Sequence, residues 1–259
     1  MEIVVCGKVI PDSSVTLSVD PSTRRMVRKD LPHELDPAAA SAVEEALRIT
    51  EQVGGSVTFI SMGIADAAVG IRRALAMGAT AATHLRDNAF AGSDTLGTAK
   101  ALAAAIRRQP FDMVICGTES SDSYSGIVPV QIAVLLGIPA LTFAKAVIVE
   151  GNTVTIHRQS ETGYTVAASQ LPALVSVTSG INEPRYPQLK GIMAARKIEI
   201  TMLGASDLQL GPSEVGESGA RERVVTIGSP PPRTAGTVYE DQGDGGRRIA
   251  DFLAGLGVL

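Results

Sequence analysis

Between the apolar runs Met113–Cys116 and Ile127–Leu136 lies GTESSDSYSG, residues 117–126. Its composition suits ligand binding more than catalysis. Gly117 and Gly126 permit tight turns, and Thr118, Ser120, Ser121, Ser123 and Ser125 carry short hydroxyls. Such hydroxyls, with the free backbone N–H groups at the start of a following helix, can cradle a phosphate. Glu119 and Asp122 would repel a phosphate, so they are expected to serve sugar hydroxyls or backbone. Tyr124 completes the stretch. The pattern is neither a Walker loop nor a GxGxxG turn, so a solvated polar loop stands as its alternative.

Other candidates are single residues near the ends of apolar runs. Lys8 follows EIVVCG and could reach a phosphate, but an ordinary surface lysine at a strand end is the favoured reading there. Asp36, Pro37, Ala38 and Ala39 open a helical stretch, and simple helix capping is the alternative reading there. Met62 and Gly63 close SVTFISMG and could touch a base or backbone. His33, His84 and His157 read as surface or packing histidines. No nucleophile–base pair or carboxylate dyad stands out, and Glu44 and Glu45 read as a solvated helix face. Cys6 and Cys116 lie in apolar runs without metal-ligand spacing and read as buried, reduced thiols.

The elements that must position these residues follow a regular rhythm. EIVVC, SVTFISMG, ATHLRD and DMVICG read as strands, separated by amphipathic helices at AAASAVEEALRITEQ, ADAAVGIRRALAMGA and TLGTAKALAAAIRRQ. GIVPVQIAVLLG reads as another helix. Alternation to about residue 140 predicts an α/β fold, a mostly parallel, doubly wound sheet with helices on both faces. Ligands of such sheets sit at the carboxyl ends of the strands, at a switch in strand order. Antiparallel strands follow, with a hairpin at Gly151–Asn152. INEPRYPQLKGIMAARKIEI then reads as a stiff, basic loop, about 182–199, carrying lone apolar residues at Leu189, Ile192 and Met193. Residues 1–203 are expected as one nucleotide-binding domain and 204–259 as a C-terminal arm whose VVTIG and IADFLAGL seek a partner surface.

A net charge of −4 argues against a nucleic-acid or anionic-membrane binder. The start MEIVVCGKVIPD does not read as a signal peptide, and no apolar run is long enough to span a bilayer. The expected location is cytoplasmic.

The sequence resembles the electron transfer flavoprotein β subunit family over nearly its whole length. NEPRYPQLKGIMAARKIEI carries most of the likeness; AVEEALRI, IRRALAMGA, LPALVSV and PRTAG match in order and spacing. The resemblance implies an adenine-nucleotide-hydrolase-like fold and no independent catalytic reaction. It implies a heterodimer with an α subunit that holds most of the FAD, and an AMP in the β subunit. FAD-dependent dehydrogenases, such as acyl-CoA dehydrogenases, would be electron donors, and a quinone reductase or similar protein the acceptor. It places Cys6 against adenine, Asp36–Ala39 and Met62 beside the nucleotide, and Gly117–Val128, with Ile127 and Val128, on the phosphate and ribose. It makes Leu189 the anchor inserted into a dehydrogenase, flanked by Ile192 and Met193. Pro184 and Pro187 would stiffen that segment, Arg185 would belong to the docking surface, and Lys190, Arg196 and Lys197 would steer an acidic partner. Many relatives read GRQAIDGDT or GKQAIDDD where this chain reads GTESSDSYSG, keeping Gly117 and Asp122. AMP, a second FAD as in the electron-bifurcating branch, or no nucleotide therefore stay open, as does a stand-alone adenine-nucleotide sensor. Ser13 replaces an aromatic residue that some relatives place near the flavin.

Overall fold

The computed structural model describes residues 1–160, 163–228, 231–232, 236 and 238–258. Two compact units comprise Met1–Val224 and Val225–Leu259.

The first unit begins with β1 (Glu2–Cys6), β2 (Val9–Pro11), β3 (His33–Leu35), α1 (Pro37–Val53), β4 (Ser56–Met62), α2 (Ala68–Met77) and β5 (Ala81–Leu85). There follow α3 (Thr95–Ile106), β6 (Met113–Gly117), α4 (Val128–Leu136), β7 (Ala140–Glu150), β8 (Thr153–Ser160), β9 (Gly163–Gln170) and β10 (Ala173–Val177). It ends with α5 (Leu189–Lys197), β11 (Ile200–Leu203) and the single turn α6 (Gly216–Gly219). Nine strands form one sheet in the order β11-β5-β4-β1-β6-β10-β7-β8-β9. Pairing is parallel from β11 through β7 and antiparallel for β7·β8 and β8·β9. The expected α/β architecture is present, with a large, mostly parallel sheet and a few antiparallel strands.

Both faces are covered, which is why β1 is apolar without a gap from Ile3 to Cys6. Ile3 and Val5 pack with α1 and α2, while Val4 and Cys6 pack with α3 and α4. Helix α1 starts where the chain offers both a cap and a pre-set φ. The Asp36 carboxylate accepts from Ala38 N, and Pro37 takes the first turn. Asp94 caps α3 by accepting from Gly97 N. The chain runs from β1 outward to β4 and β5, then crosses back to β6, so strand order reverses between β1 and β6. That is the switch point where a crevice opens beyond the strand ends.

The segment at 182–199 differs from expectation. Its second half is not loop but the helix α5, LKGIMAARK. Pro184 and Pro187 keep the preceding residues extended, but none lies inside the helix, and Arg196 and Lys197 complement its C-terminal carbonyls. Gly191, ordinarily costly in a helix, allows contact with α2: a Cβ there would lie 2.5 Å from the Ala76 carbonyl oxygen.

In the second unit, RRIADFLAGL forms most of α7 (Gly245–Gly255), with Ile249, Phe252 and Leu256 exposed. VVTIG forms no strand, and Val224, Val225 and Ile227 are exposed. Arg233, Thr234 and Ala235 of PRTAG lie outside the described residues. Among the described residues, no helix is long and apolar enough to cross a membrane.

Candidate functional site

A cleft of about 480 Å³ opens at the carboxyl ends of β1 and β6, within the size range of small-molecule sites. Cys6, Met62, Leu102, Cys116, Val128 and Ile132 give it apolar wall; Lys8, Arg28, His33, Asp36, Ser120 and Ser123 give it polar wall. Two glycines let the elements close in. A Cβ on Gly117 would stand 2.7 Å from the Ala38 Cβ, and one on Gly7 would stand 2.6 Å from the Phe59 ring.

Asp36 does more than cap α1. Its other carboxylate oxygen accepts from Ser121 N at 2.8 Å and Ser121 Oγ at 2.7 Å, tying the 117–126 loop to the helix start. Asp122, expected on sugar hydroxyls or backbone, instead holds two cations: Lys8 Nζ and Arg28 Nη2, each at 2.6 Å, with its own side chain only 2% exposed. Ser120 Oγ also donates to it, and Lys8 reaches Ser120 Oγ and Ser123 Oγ at 3.3 and 3.1 Å. Burial pushes the Asp122 carboxyl up, but Lys8 and Arg28 together outweigh it and lower its pKa to about 2. Burial lowers the Lys8 pKa despite the opposing pull of Asp122.

Of the residues singled out by sequence, Cys6, Lys8, Asp36, Ala39, Met62, Gly117, Thr118, Glu119, Ser120, Ser123, Ser125, Gly126 and Val128 line the cleft. Pro37, Ala38, Ser121, Asp122, Tyr124 and Ile127 do not. Ala38 and Ser121 shape its wall through Gly117 and Asp36, while Tyr124 and Ile127 are exposed. Sequence reasoning missed Arg28 and His33, which enter from the 12–35 stretch. Arg28 Nη1 and His33 Nε2 are buried without a protein partner. His33 Nδ1 lies 2.8 Å from the Leu31 carbonyl oxygen, so in the neutral ring Nδ1 donates there and Nε2 is an acceptor without a donor. Orphaned buried nitrogens at a cleft wall fit a polar ligand group.

The two thiols behave as expected: both are free and buried, side by side in the β1·β6 register. Hydrogen bonding to Cys116 and burial push the Cys6 thiol pKa well up, which keeps it protonated and unreactive. His84 is a packing residue, near the Gly63 carbonyl oxygen. Among the described residues, no cluster of three or more His, Cys, Asp or Glu could hold a metal ion.

The electron transfer flavoprotein domain model matches residues 23–208. Electron transfer flavoprotein subunit β of Thermoanaerobacterium thermosaccharolyticum is 41% identical over 240 residues, 92% of each chain. The protein of that name from Mycobacterium leprae is 39% identical over 99% of each chain. This chain belongs to the electron transfer flavoprotein family. Subunit CarD of the caffeyl-CoA reductase–Etf complex of Acetobacterium woodii is also similar, at 37% identity over 91% of this chain and 90% of its own. The family and the names of these relatives support an electron-transport role, and membership among β subunits implies an α-type partner.

A second surface of this electron transfer flavoprotein chain lies on α5. Leu189 is 74% exposed and Met193 57%, and with Lys190, Ala194 and Lys197 they line a shallow hollow. Lys190, Arg196 and Lys197 are exposed and make no ion pair among the described residues. Arg185, placed by resemblance on the docking surface, turns inward to Glu44 and Glu51. Glu44 and Glu45, read as solvated, are 3% and 8% exposed, because the 182–187 stretch folds over them.

Proposed function

We propose that this chain is the β subunit of a heterodimeric electron carrier, with AMP as a structural ligand in the cleft and α5 as the docking surface for FAD-dependent dehydrogenases. The observation that carries the nucleotide reading is the cleft itself: apolar wall and polar wall meet at the strand-order switch, with Arg28 Nη1 and His33 Nε2 lacking protein partners. Cys6, Met62 and the apolar wall around them would take the flat base. Lys8, Arg28 and the hydroxyls of Ser120 and Ser123 would hold the polar end. Asp122 neutralises much of the cationic charge, which favours a mononucleotide over a more highly charged polyphosphate.

The redox FAD, held mainly by the α subunit, supplies the electron carriage; the β chain contributes burial, orientation and donor recognition. Leu189 is the anchor, with Ile192 and Met193 beside it and Lys190, Arg196 and Lys197 steering an acidic dehydrogenase surface. Of the arm expected over 204–259, residues 204–224 group with the first unit, and Val225–Leu259, with its exposed apolar stripe on α7, is the part that would wrap the α subunit. A quinone reductase or similar protein accepts the electrons, and the location is cytoplasmic.

Co-expression with the α-type partner, purification, a visible spectrum and nucleotide analysis of an acid extract test this reading. One FAD and one AMP per heterodimer are expected. Two FADs would put a flavin dinucleotide in the cleft. A stable flavin-free chain that binds ATP alone would make it a nucleotide sensor.

A further inference from the structure

Helix α1 carries three carboxylates toward the stretch that leads into α5. The Glu44 side chain is 4% exposed, and both its oxygens are taken. Arg185 donates to it from the backbone N at 3.0 Å, from Nε at 2.8 Å and from Nη2 at 3.2 Å. Arg48 adds a bond from one turn along the helix. The Arg185 guanidinium then bridges to Glu51 through Nη1 at 2.6 Å and Nη2 at 3.2 Å. Asn182 Nδ2 donates to the Ser41 carbonyl oxygen at 3.0 Å and to Glu45 Oε2 at 2.9 Å. Arg48 pairs with one oxygen of the buried Glu44, and Arg185 supplies the charged partner of the other, which favours a fold that brings Arg185 back to α1.

The far end is held too. Arg72 on α2 donates to the carbonyls of Ala195 and Ile198 at the end of α5, and Gly191 lets the helix lie against Ala76. Between these two supports the exposed residues include Tyr186, Leu189, Lys190 and Met193, with Leu189 and Met193 as the large apolar residues most exposed on the helix.

We propose that Arg185 and Asn182 are positioning residues that latch the lead of α5 onto α1, so that the Leu189–Met193 face is ordered before a partner arrives. This rests on the docking reading of α5 given above. Ordering in the free state removes an entropic cost from association, which a floppy segment would bear at each encounter. It also gives separate jobs to residues within one short stretch. Asn182 and Arg185 face inward and hold; Leu189 and Met193 face outward and bind. Arg185 itself would touch no partner.

The test uses the purified heterodimer and three variants: Arg185→Ala, Arg185→Lys and Asn182→Ala. Hydrogen exchange is followed at residues 181–199 and, as a reference, at 117–126. Steady-state reduction by an acyl-CoA dehydrogenase is followed in parallel. Arg185→Ala should speed exchange in 181–199 by about tenfold or more and raise the KM for the dehydrogenase by about tenfold, with kcat and AMP content unchanged. Arg185→Lys should fall between, since lysine keeps the charge but loses the two-pronged geometry. Asn182→Ala removes no charge, serves if Arg185→Ala fails to fold, and should shift both readouts in the same sense by about threefold. Unchanged exchange in 181–199 for the folded variants would overturn the latch. Faster exchange with an unchanged KM would leave the latch standing and overturn the docking role of α5.

Discussion

In the cleft, ionised side chains point inward and neutralise one another around Asp122. On α5, Lys190, Arg196 and Lys197 point outward and meet no partner among the described residues. Apolar groups show the mirror arrangement. They are wall in the cleft, at Cys6, Met62 and Ile132, and exposed tips on the helix, at Leu189 and Met193. A site that encloses a ligand must satisfy its own charges first, because an unpaired buried charge is costly. A surface that meets a transient partner can leave charges solvated, where they steer encounters at little cost in stability. The same chain can therefore be damaged in two distinguishable ways: cleft substitutions should cost stability, and docking substitutions should cost only partner kinetics.

The sharpest break comes at Gly117. Valine there would drive its Cβ to within 2.7 Å of the Ala38 Cβ and 2.9 Å of the Ala38 carbonyl carbon, against backbone that cannot rotate away. Gly117→Val should destabilise by about 3 kcal/mol or more, lower the Tm and strip the nucleotide from the purified complex. Asp122→Asn is next. It leaves Lys8 and Arg28 without their shared counter-charge, though both are partly exposed, so a loss of about 2 kcal/mol is expected. The pH dependence has a definite sign. With the folded pKa lowered to about 2 from 3.8, the Asp122 contribution is present above about pH 4 and lost as pH falls through 2. Glu44 acts in the same direction, since the hydrogen bonds from Arg185 and Arg48 outweigh its burial; Glu45, raised by burial, acts in the opposite one. Chemical denaturation between pH 5 and 2 should show a shallower acid limb for Asp122→Asn than for the unsubstituted protein, as the marker of this one pair.

The contrast also explains what could be read in the sequence. Strand–helix alternation, the Asp36–Pro37 cap and the 117–126 loop are local patterns, and the fold keeps them. Arg28 was not legible, because it meets Asp122 from 94 positions away within a polar stretch that carries no periodicity. Glu44 and Glu45 were misread for a related reason. Adjacent carboxylates on a helix look solvated until another segment is known to fold across them, and only the three-dimensional placement of Asn182 and Arg185 supplies that cover. Helix α5 was hidden by Pro184 and Pro187, which dominate the local pattern yet end before the helix begins. Its helical form is maintained by α2, through Arg72 and the close approach of Ala76 to Gly191, and neither α2 residue can be read from the nine helical residues themselves.

Leu189→Ala gives the smallest expected change in stability and so the cleanest test of the other half of the contrast. The side chain is 74% exposed at the first position of α5 and fills no core space. Alanine is at least as good a helix former, so the Tm and the nucleotide content should stay within error, with a stability change inside about 0.5 kcal/mol. An anchor seated in a partner pocket behaves differently, since truncating it removes apolar area that is buried only in the complex. A loss of about 2 kcal/mol of binding, about thirtyfold in the KM for the dehydrogenase, is the expected scale. Reduction kinetics with an unchanged KM would show that Leu189 is merely an exposed residue, and the role of α5 would then have to rest on its charges alone.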